Sequence, residues 1–287
     1  MAVAALKLLY SWKAPLMSMD GAHWKKDELE WISATKIEIT PEQIQATYKT
    51  DSYIETKIFS HYNLGLIRSD KVLEDLTKQN YQNIVEAESQ HSDLVPAKYE
   101  GGLKIWECTF DLSRYILQEK IDLKDKLVMD LGCGAGVIGI VALLNDSAVH
   151  FQDYNAEVLR SVTIPNVILN FDNHTNVFTK CEFYAGDWTS LVTLFDNDES
   201  RKYDYIFTSE TIYNPNNHKK LYNVFKQRLK INGAIFVAGK TYYFGVGGGM
   251  RQFEDLVLKD GFFDVKSVWK SEDGVNREII KLTRKVY

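Results

Sequence analysis

The sequence predicts an α/β fold in which helices cover both faces of a mostly parallel, seven-stranded Rossmann-like sheet, preceded by an irregular N-terminal extension. An apolar run at residues 127–130 leads into a glycine-rich loop, and the apolar stretch after this loop continues as a helix to Leu144. Further short apolar runs follow through the C-terminal half. A strand, a glycine loop and a helix in direct succession are typical of a nucleotide-cofactor site at the carboxyl end of a parallel sheet.

Composition and charge limit the classes of function. A chain of 287 residues can form one large domain, or one domain with a substantial extension, and its formal charge of −5 argues against a generally basic nucleic-acid binder. The three cysteines are widely spaced and form no C-x-x-C pattern, so we expect neither a disulfide framework nor a zinc site. The first residues lack the basic segment and the cleavage site of a secretory signal. We therefore expect an intracellular protein without a membrane partner.

The glycine loop fits two classes of cofactor. Gly134, Gly136 and Gly139 match the G-x-G-x-x-G pattern of dinucleotide-binding folds, which alone is weak evidence. Asp130 favours S-adenosylmethionine, because a carboxylate attracts its ammonium and sulfonium groups and repels a pyrophosphate. The run from Asp130 to Gly136 also resembles the cofactor loop of seven-stranded S-adenosylmethionine-dependent methyltransferases. We predict that Asp130, Gly132 and Gly134 contact this cofactor; a dinucleotide site or a purely structural glycine turn is the alternative.

The next two predicted strands end in candidate ligands for the adenosine part of the cofactor. Asp153 ends the second strand, about 20 residues beyond the glycine loop, which is the usual distance of a carboxylate that binds the ribose hydroxyls. Capping of the next helix is the alternative role for Asp153. Asp187 follows the third strand, at residues 181–185, and suits the adenine amino group. The other residues predicted to flank the adenosine are Tyr154, Asn155, Gly186 and Trp188.

The segment before the first strand of the sheet is predicted to cover the cofactor pocket. Gly101 and Gly102 mark a turn, and the chain from Thr109 onward has the pattern of a helix. Trp106 can stack on adenine or line the methionine end, and Glu107 can bind the ammonium group of the cofactor. A core tryptophan and a surface glutamate are the alternative. The predicted cofactor contacts in this segment are Ile105, Trp106, Glu107, Cys108 and Thr109.

The fourth predicted strand, at residues 203–208, ends where the transferred methyl group is expected, because ligands bind outside the carboxyl ends of such strands. Ser209 is predicted to contact the cofactor there, and Glu210 and Tyr213 are the candidate catalytic residues. The Glu210-x-x-Tyr213 pattern resembles the acid-x-x-aromatic motif of related protein-lysine methyltransferases. Beyond the fifth strand, residues 240–249 combine four glycines with aromatic residues, which predicts a mobile binding loop.

Four stretches of the sequence resemble one family of enzymes. They read E-G-G-L-K-I-W-E-C-T-F-D-L at 100–112, H-F-Q-D-Y-N at 150–155, T-S-E-T-I-Y-N-P at 208–215 and Y-F-G-V-G-G-G at 243–249. They are similar to the eukaryotic protein-histidine N-methyltransferases that modify one histidine of a large-subunit ribosomal protein. The similarity covers about residue 92 to the C-terminus. It implies a methyltransferase domain at residues 94–287. Residues 1–93 show no comparable match and no sustained periodicity, and they are predicted to form a lid or docking extension.

The resemblance implies that a methyl group passes from S-adenosylmethionine to the distal (tele) nitrogen of a substrate histidine, in the cytoplasm or the nucleus, the nucleolus included. We expect a monomer with no sequence-specific nucleic-acid partner. For the distal nitrogen to attack, the other ring nitrogen must carry the proton, so the site needs a proton acceptor. Glu210, the Tyr213 hydroxyl or a backbone carbonyl can supply it. The alternatives are a protein-lysine methyltransferase of the same fold and a cofactor-binding module without catalysis.

The histidines of the chain itself are not assigned a role in catalysis. The six are scattered through the sequence and lack the spacing of metal ligands, so we expect no metal site. Methyl transfer from a sulfonium needs none, because the cofactor supplies the electrophile and the protein supplies alignment.

Overall fold

The computed structural model describes residues 31–81, 84–85, 95, 97–272 and 274–285. The sequence also predicts a hairpin turn at Asp273-Gly274 between strands at about 263–270 and 275–285; Asp273, like residues 1–30, lies outside the described residues. Its helices and strands, in chain order, are β1 (Thr35–Ile37), α1 (Pro41–Ile44), β2 (Tyr53–Phe59), β3 (Tyr62–Ile67), α2 (Ser69–Lys78), α3 (Glu107–Gln118), β4 (Leu127–Leu131), α4 (Val137–Leu144), β5 (Ala148–Asp153), α5 (Ala156–Val158), α6 (Ile164–Leu169), α7 (His174–Phe178), β6 (Cys181–Ala185), α8 (Trp188–Leu194), β7 (Tyr203–Ser209), α9 (Pro215–Arg228), β8 (Leu229–Lys240), α10 (Met250–Asp260), β9 (Phe263–Lys270) and β10 (Arg277–Arg284).

The central sheet has the strand order β1-β6-β5-β4-β7-β8-β10-β9. Strands β6, β5, β4, β7 and β8 run parallel, and β10 pairs antiparallel with both β8 and β9. These seven strands are the predicted ones, so the predicted α/β fold is confirmed. Because β5 and β7 lie on opposite sides of β4, the connections diverge there and leave a crevice at the carboxyl ends of the strands, where open α/β sheets bind ligands.

Strand β1 adds an eighth strand from the segment predicted to be an irregular extension. It pairs antiparallel with β6. The β2–β3 hairpin and α2 also pack into the main core, where Leu64, Leu66 and Leu76 are at most 1% exposed. The domain boundary predicted at residue 93 is therefore wrong for residues 31–81. A three-residue strand is too short for a periodic pattern, and it is stabilised by pairing with a strand far along the chain.

Close packing of α4 on β5 fixes the position of the glycine loop. A Cβ atom at Gly139 would lie 2.2 Å from Cε1 of Phe151, so only glycine allows α4 to come this close to the sheet. Apolar cores fill both faces of the sheet, with α3, α4 and α6 on one face and α8, α9 and α10 on the other. Among the described helices, none has the length and apolar composition needed to cross a membrane.

Candidate cofactor and active site

The loops at the carboxyl ends of β4, β5, β6 and β7 surround a cavity of about 780 Å³, its open mouth included. This is the place where the sequence predicts the cofactor. The predicted residues that line it are Ile105, Trp106, Thr109, Gly132, Gly134, Asp153, Tyr154, Gly186, Asp187, Trp188, Ser209, Glu210 and Tyr213. The predicted residues that do not line it are Glu107, Cys108, Asp130 and Asn155.

Asp153 lines the cavity next to the glycine loop. Its Oδ2 atom accepts a hydrogen bond from the N–H of Gly134 (2.9 Å), and its Oδ1 atom accepts one from the N–H of Asn155 (3.1 Å). Burial raises the pKa of Asp153 to about 6, although these backbone hydrogen bonds favour its charged form. Each carboxylate oxygen can accept more than one hydrogen bond, so Asp153 can bind ribose hydroxyls while it holds the loop.

The predicted contact between Asp130 and the cofactor is wrong for this structure, because the side chain of Asp130 does not line the cavity. Its Oδ2 atom accepts a hydrogen bond from the N–H of Gly139 in the first turn of α4 (2.8 Å), and the residue is only 2% exposed. Burial raises the pKa of Asp130 to about 8, which disfavours the charge that the sequence argument required. Asp130 therefore ties β4 to α4, and the choice between cofactors cannot rest on it.

Asn155 also lies outside the lining, where it holds the segment that covers the cavity. Its Nδ2 atom donates to the carbonyl oxygen of Lys98 (2.8 Å), and its Oδ1 atom accepts from the N–H of Glu100 (3.3 Å). The same segment approaches the glycine loop closely, since a Cβ atom at Gly134 would lie 3.3 Å from the carbonyl oxygen of Gly102. Asn155 thus positions Glu100, which lines the cavity.

Glu107 and Cys108, at the start of α3, do not line the cavity. The Glu107 carboxylate is 44% exposed and pairs with the ammonium of Lys240 at 3.3 Å. Cys108 is buried, burial raises the pKa of its thiol, and its N–H donates to Oε1 of Glu210 (3.3 Å). Successive residues of a helix face different directions, so the predicted run of five contacts cannot all reach one cavity.

The side chain of Gln152 connects two loops of the site by hydrogen bonds, although it was not predicted as a site residue. Its Oε1 atom accepts hydrogen bonds from Nε1 of Trp188 (2.8 Å) and from the N–H of Gly132 (3.3 Å), and its Nε2 atom donates to the carbonyl oxygen of Gly186 (2.8 Å). This fully buried amide therefore joins the loops that follow β4 and β6. The residue lies in the H-F-Q-D-Y-N stretch, but nothing in the residue type itself indicates three partners.

Both carboxylate oxygens of Asp187 already have partners within the protein. The Oδ2 atom accepts from the N–H of Thr189 (2.8 Å) and caps α8, and the Oδ1 atom accepts from Nζ of Lys220 (2.6 Å). Asp187 lines the cavity as predicted, but its carboxylate already caps a helix and forms an ion pair. It is less available to an adenine amino group than a free carboxylate.

Glu210 is a cavity residue whose carboxylate is bound by the protein. It follows β7 with a φ of 58°, in the left-handed region that non-glycine residues rarely adopt. In addition to the bond from Cys108, its Oε2 atom accepts a hydrogen bond from the hydroxyl of Tyr243. Its backbone N–H donates to the carbonyl oxygen of Ala238 (2.9 Å). These contacts hold Glu210 in a fixed position beside the cavity, and its role as proton acceptor stays a prediction.

Glu100 and Tyr213 form a hydrogen-bonded pair that faces the cavity. The Tyr213 hydroxyl donates to Oε2 of Glu100, whose Oε1 atom accepts from the N–H of Ala97 (3.2 Å). Burial, with a further contribution from the charge of Asp153, raises the pKa of Glu100 to about 7. Glu100 was not predicted as a site residue, although it is the first letter of the E-G-G-L-K-I-W stretch, and its partner Tyr213 was predicted.

The chain resembles known methyltransferases over most of its length. A family model described as lysine methyltransferase matches residues 96–243. The histidine protein methyltransferase 1 homologue of Dictyostelium discoideum is 44% identical over 68% of this chain and 62% of its own. The homologues of Bos taurus and Rattus norvegicus are 38% and 35% identical, over 78% and 82% of this chain and 66% and 72% of their own.

The chain therefore spans about two thirds of the length of these relatives, and somewhat less of the Dictyostelium and bovine proteins. The match includes the glycine loop, Asp153, the Glu100–Tyr213 pair and the loop after β7, which are the parts that build the cavity. The chain belongs to the methyltransferase family that this model describes and, within it, to the family of histidine protein methyltransferase 1 and its homologues.

Proposed function

We propose that the protein transfers a methyl group from S-adenosylmethionine to a histidine of a protein substrate. The observation that carries the proposal is one cavity, at the carboxyl ends of the parallel strands, lined both by Asp153 with the glycine loop and by the Glu100–Tyr213 pair. The first group suits an adenosine cofactor and the second suits an acceptor that must lose a proton. The names of the relatives support histidine as the acceptor.

The residues of the cavity fit S-adenosylmethionine. Asp153 would hold the ribose hydroxyls, and Gly132 and Gly134, both with positive φ, let the backbone come close to the methionine part. Acidic side chains at the cavity suit the positive charge of this cofactor. When bound, the cofactor supplies an electrophilic methyl group, so the protein needs no strong nucleophile of its own. The role of the protein is then to align the acceptor nitrogen with this methyl group.

We infer that Glu100, supported by Tyr213, aligns the acceptor ring. The ring nitrogen that receives the methyl group needs a free lone pair, and the bound cofactor would supply the electrophilic methyl group and keep the electron pair of the departing bond on its sulfur. The other ring nitrogen carries the proton, and the Glu100 carboxylate accepts this N–H and stabilises the positive charge that the ring acquires. The proton can then pass to Glu100. A pKa of about 7 suits that transfer, because acid–base groups work best near the pH of the reaction.

The identity of the substrate protein is a finer part of the proposal. The four stretches that resemble the family favour the tele nitrogen of one histidine in a large-subunit ribosomal protein. The formal charge of −5 supports a basic partner of this kind. We also propose that the protein acts as a monomer, in the cytoplasm or nucleus, at an early stage of ribosome assembly.

The test is transfer of radioactive methyl groups to a cell lysate that lacks this enzyme. We expect the wild-type protein to label one basic protein, and acid hydrolysis of that protein to release tele-methylhistidine. Asp153→Asn is the matched control, since it keeps the shape of the side chain and removes its charge. Label in methyllysine alone would contradict the histidine assignment, and no labelling in any fraction would favour a cofactor-binding module without catalysis.

A protein-lysine methyltransferase is the second candidate function. The description of the matched family and the Glu210-x-x-Tyr213 pattern favour it. A lysine, with a reference pKa of about 10.4, must lose a proton before it attacks, whereas a histidine, with a reference pKa of about 6.5, is mostly neutral at pH 7. In this candidate function Glu210 would take that proton, and its carboxylate, like that of Glu100, already accepts two hydrogen bonds within the protein.

A further inference from the structure

Asn217 is a buried amide in the wall of the cavity. It is 7% exposed, it lies in the first turn of α9, and its side chain lines the cavity. Among the described residues, no donor lies within hydrogen-bond distance of its Oδ1 atom. Buried polar atoms of native proteins are almost always paired, so an unpaired acceptor in a residue that lines a cavity indicates an N–H or O–H group of a ligand.

The position of Asn217 on α9 indicates which end of the cavity it serves. Lys220 lies one turn further along the same helix, and its ammonium reaches Oδ1 of Asp187 (2.6 Å) in the loop after β6. If Asp153 at the end of β5 binds the ribose, the base lies towards this neighbouring loop. Asp187, predicted to bind the adenine amino group, has both oxygens in use. Asn217 carries an acceptor atom, Oδ1, that has no partner among the described residues.

Trp31 forms a second wall at the same end. Its ring lines the cavity, and its edge-to-face contact with the ring of Tyr154 has a centroid distance of 5.9 Å and an interplanar angle of 82°. The Lys220 ammonium lies 3.2 Å from the centroid of the Trp31 ring, while it also pairs with Asp187. A cation on the ring face and an aromatic edge beside it fix the orientation of the indole.

Residues 32–34, which follow Trp31, are held against the parts of the chain that follow β5 and β6 by hydrogen bonds of their backbone groups. The carbonyl oxygen of Ile32 accepts from the N–H of Asp187 (2.8 Å), and the N–H of Ile32 donates to the hydroxyl of Tyr154 (3.1 Å). The N–H of Ala34 donates to Oγ of Ser190 (2.8 Å). The segment before β1 is therefore a built part of the cavity wall.

Gly186 makes this close approach possible. Its φ is 115°, and a Cβ atom there would lie 2.7 Å from both the Cα of Ala34 and the carbonyl oxygen of Ser33. No other residue type fits under the segment without displacing backbone.

We propose that Trp31 and Asn217 together form the adenine subsite of the cavity, with Trp31 against the face of the base and the Asn217 amide on its amino edge. An amide presents an acceptor and donors side by side, which match the amino group and a ring nitrogen of adenine. The inference rests on the proposed use of S-adenosylmethionine. It adds base recognition by two residues, one of which comes from the segment predicted to lie outside the methyltransferase domain.

Calorimetric titration of the full chain with S-adenosylhomocysteine and with S-inosylhomocysteine tests the subsite, because inosine carries an oxygen in place of the adenine amino group. We expect the wild-type protein to prefer the adenosine compound. Asn217→Leu should bind it about tenfold more weakly and lose most of this preference, since a hydrogen bond is lost in a buried site. Asn216→Leu, a change at the exposed neighbouring residue, should behave as wild type.

Trp31 is tested by the same titrations. Trp31→Ala should weaken binding of both compounds by about the same factor, roughly tenfold, because stacking does not depend on the amino group. Trp31→Phe, which keeps an aromatic face, should recover most of the affinity. Hydrogen exchange of the wild-type protein gives a check without any variant, since the cofactor should slow exchange of the Ile32 and Ala34 amides.

Three outcomes would overturn the subsite. They are an unchanged adenosine preference in Asn217→Leu, unchanged affinity in Trp31→Ala, and unchanged exchange of the two amides in a wild-type protein that binds the cofactor. If Asn217→Leu lowered kcat/KM for the protein substrate alone, Asn217 would serve the acceptor ring and the adenine assignment would fail. A wild-type protein that binds neither S-adenosylmethionine nor its product would instead contradict the proposed function.

Discussion

The hydroxyl of Tyr213 donates a hydrogen bond to the carboxyl group of Glu100, and this contact joins two segments that lie 113 residues apart in the sequence. Both residues line the cavity, and burial raises the pKa of Glu100 to about 7. The segment before α3 and the loop after β7 thus present one acidic group to the space where an acceptor ring would bind. The protonation state of the Glu100 carboxyl group therefore changes near neutral pH.

The first prediction concerns the pH dependence of methyl transfer. Glu100 must be charged to accept the ring N–H, and the substrate histidine must be neutral to attack, so protonation of either group stops the reaction. We expect kcat/KM for the substrate, measured at saturating cofactor, to fall as the pH is lowered. Well below pH 6, its logarithm should approach a slope of two for the wild-type protein and a slope of one for Glu100→Gln.

The Glu100→Gln variant should also lose roughly a hundredfold in kcat, in the range that general acid–base groups contribute. Its affinity for S-adenosylmethionine should stay close to that of the wild-type protein. Glu119→Gln, at an exposed position after α3, is the matched control and should retain full activity. Equal slopes in the wild-type protein and in Glu100→Gln would show that Glu100 does not act on the acceptor.

The second prediction concerns Asp153 and the cofactor. We expect Asp153→Asn to lower the affinity for S-adenosylmethionine by about 1.5–3 kcal/mol, because hydrogen bonds to a charged acceptor are lost. Burial raises the pKa of Asp153 to about 6, so the affinity of the wild-type protein should decrease as the pH falls below 6. Calorimetric titration between pH 5 and 8 measures both effects. A variant that binds as tightly as wild type at pH 7.5 would exclude Asp153 as the ribose ligand.

The third prediction concerns Gln152. We expect Gln152→Leu to lower the free energy of unfolding by about 2–4 kcal/mol, because the indole of Trp188 and the backbone groups of Gly132 and Gly186 lose a buried partner. The loops after β4 and β6 would also lose their common anchor, so cofactor affinity should fall in the same variant. Urea unfolding and calorimetry measure the two quantities. Stability reduced with affinity intact would limit Gln152 to a structural role.

The fourth prediction concerns Asp130. Because its pKa in the folded protein, about 8, exceeds the ordinary value, the folded state holds a proton that the unfolded state has released. The contribution of Asp130 to stability is therefore present in acid and is lost as the pH rises towards 8. In Asp130→Asn, the free energy of unfolding should fall less steeply between pH 5 and 8. Cofactor affinity should match wild type, and a large loss of affinity would return Asp130 to the binding site.

Much of the fold could be predicted because local pattern determines it. The apolar runs of β4, β5, β6 and β7, the glycine loop and the helix after it all follow from residue type and spacing. The run Thr40-Pro41-Glu42-Gln43 also predicts a capped short helix, and residues 69–76 predict another helix; α1 and α2 confirm both. Asp153 and Tyr213 were found because Asp153 ends a strand, and Tyr213 follows one, whose carboxyl end faces the cavity.

Other features depend on partners that are distant in the sequence. The sequence alone assigned the charge of Asp130 to the cofactor, and the structure assigns its carboxyl group to α4. The sequence indicated Glu210, the Tyr213 hydroxyl or a backbone carbonyl as the proton acceptor, and in the structure the Glu210 carboxylate accepts hydrogen bonds from Cys108 and Tyr243. In each case the sequence shows the carboxylate but does not show which group of the folded chain donates a hydrogen bond to it.

The amino-acid sequence by itself determined the sheet, the position of the cofactor loop and the family of this protein, because these depend on period, spacing and short stretches of chain. Only the tertiary structure decided which acidic groups face the cavity, that Glu100 pairs with Tyr213, and that Trp31 and strand β1 belong to the same unit. The physical reason is that hydrogen bonding and burial in the folded chain decide whether a polar side chain is free for a ligand.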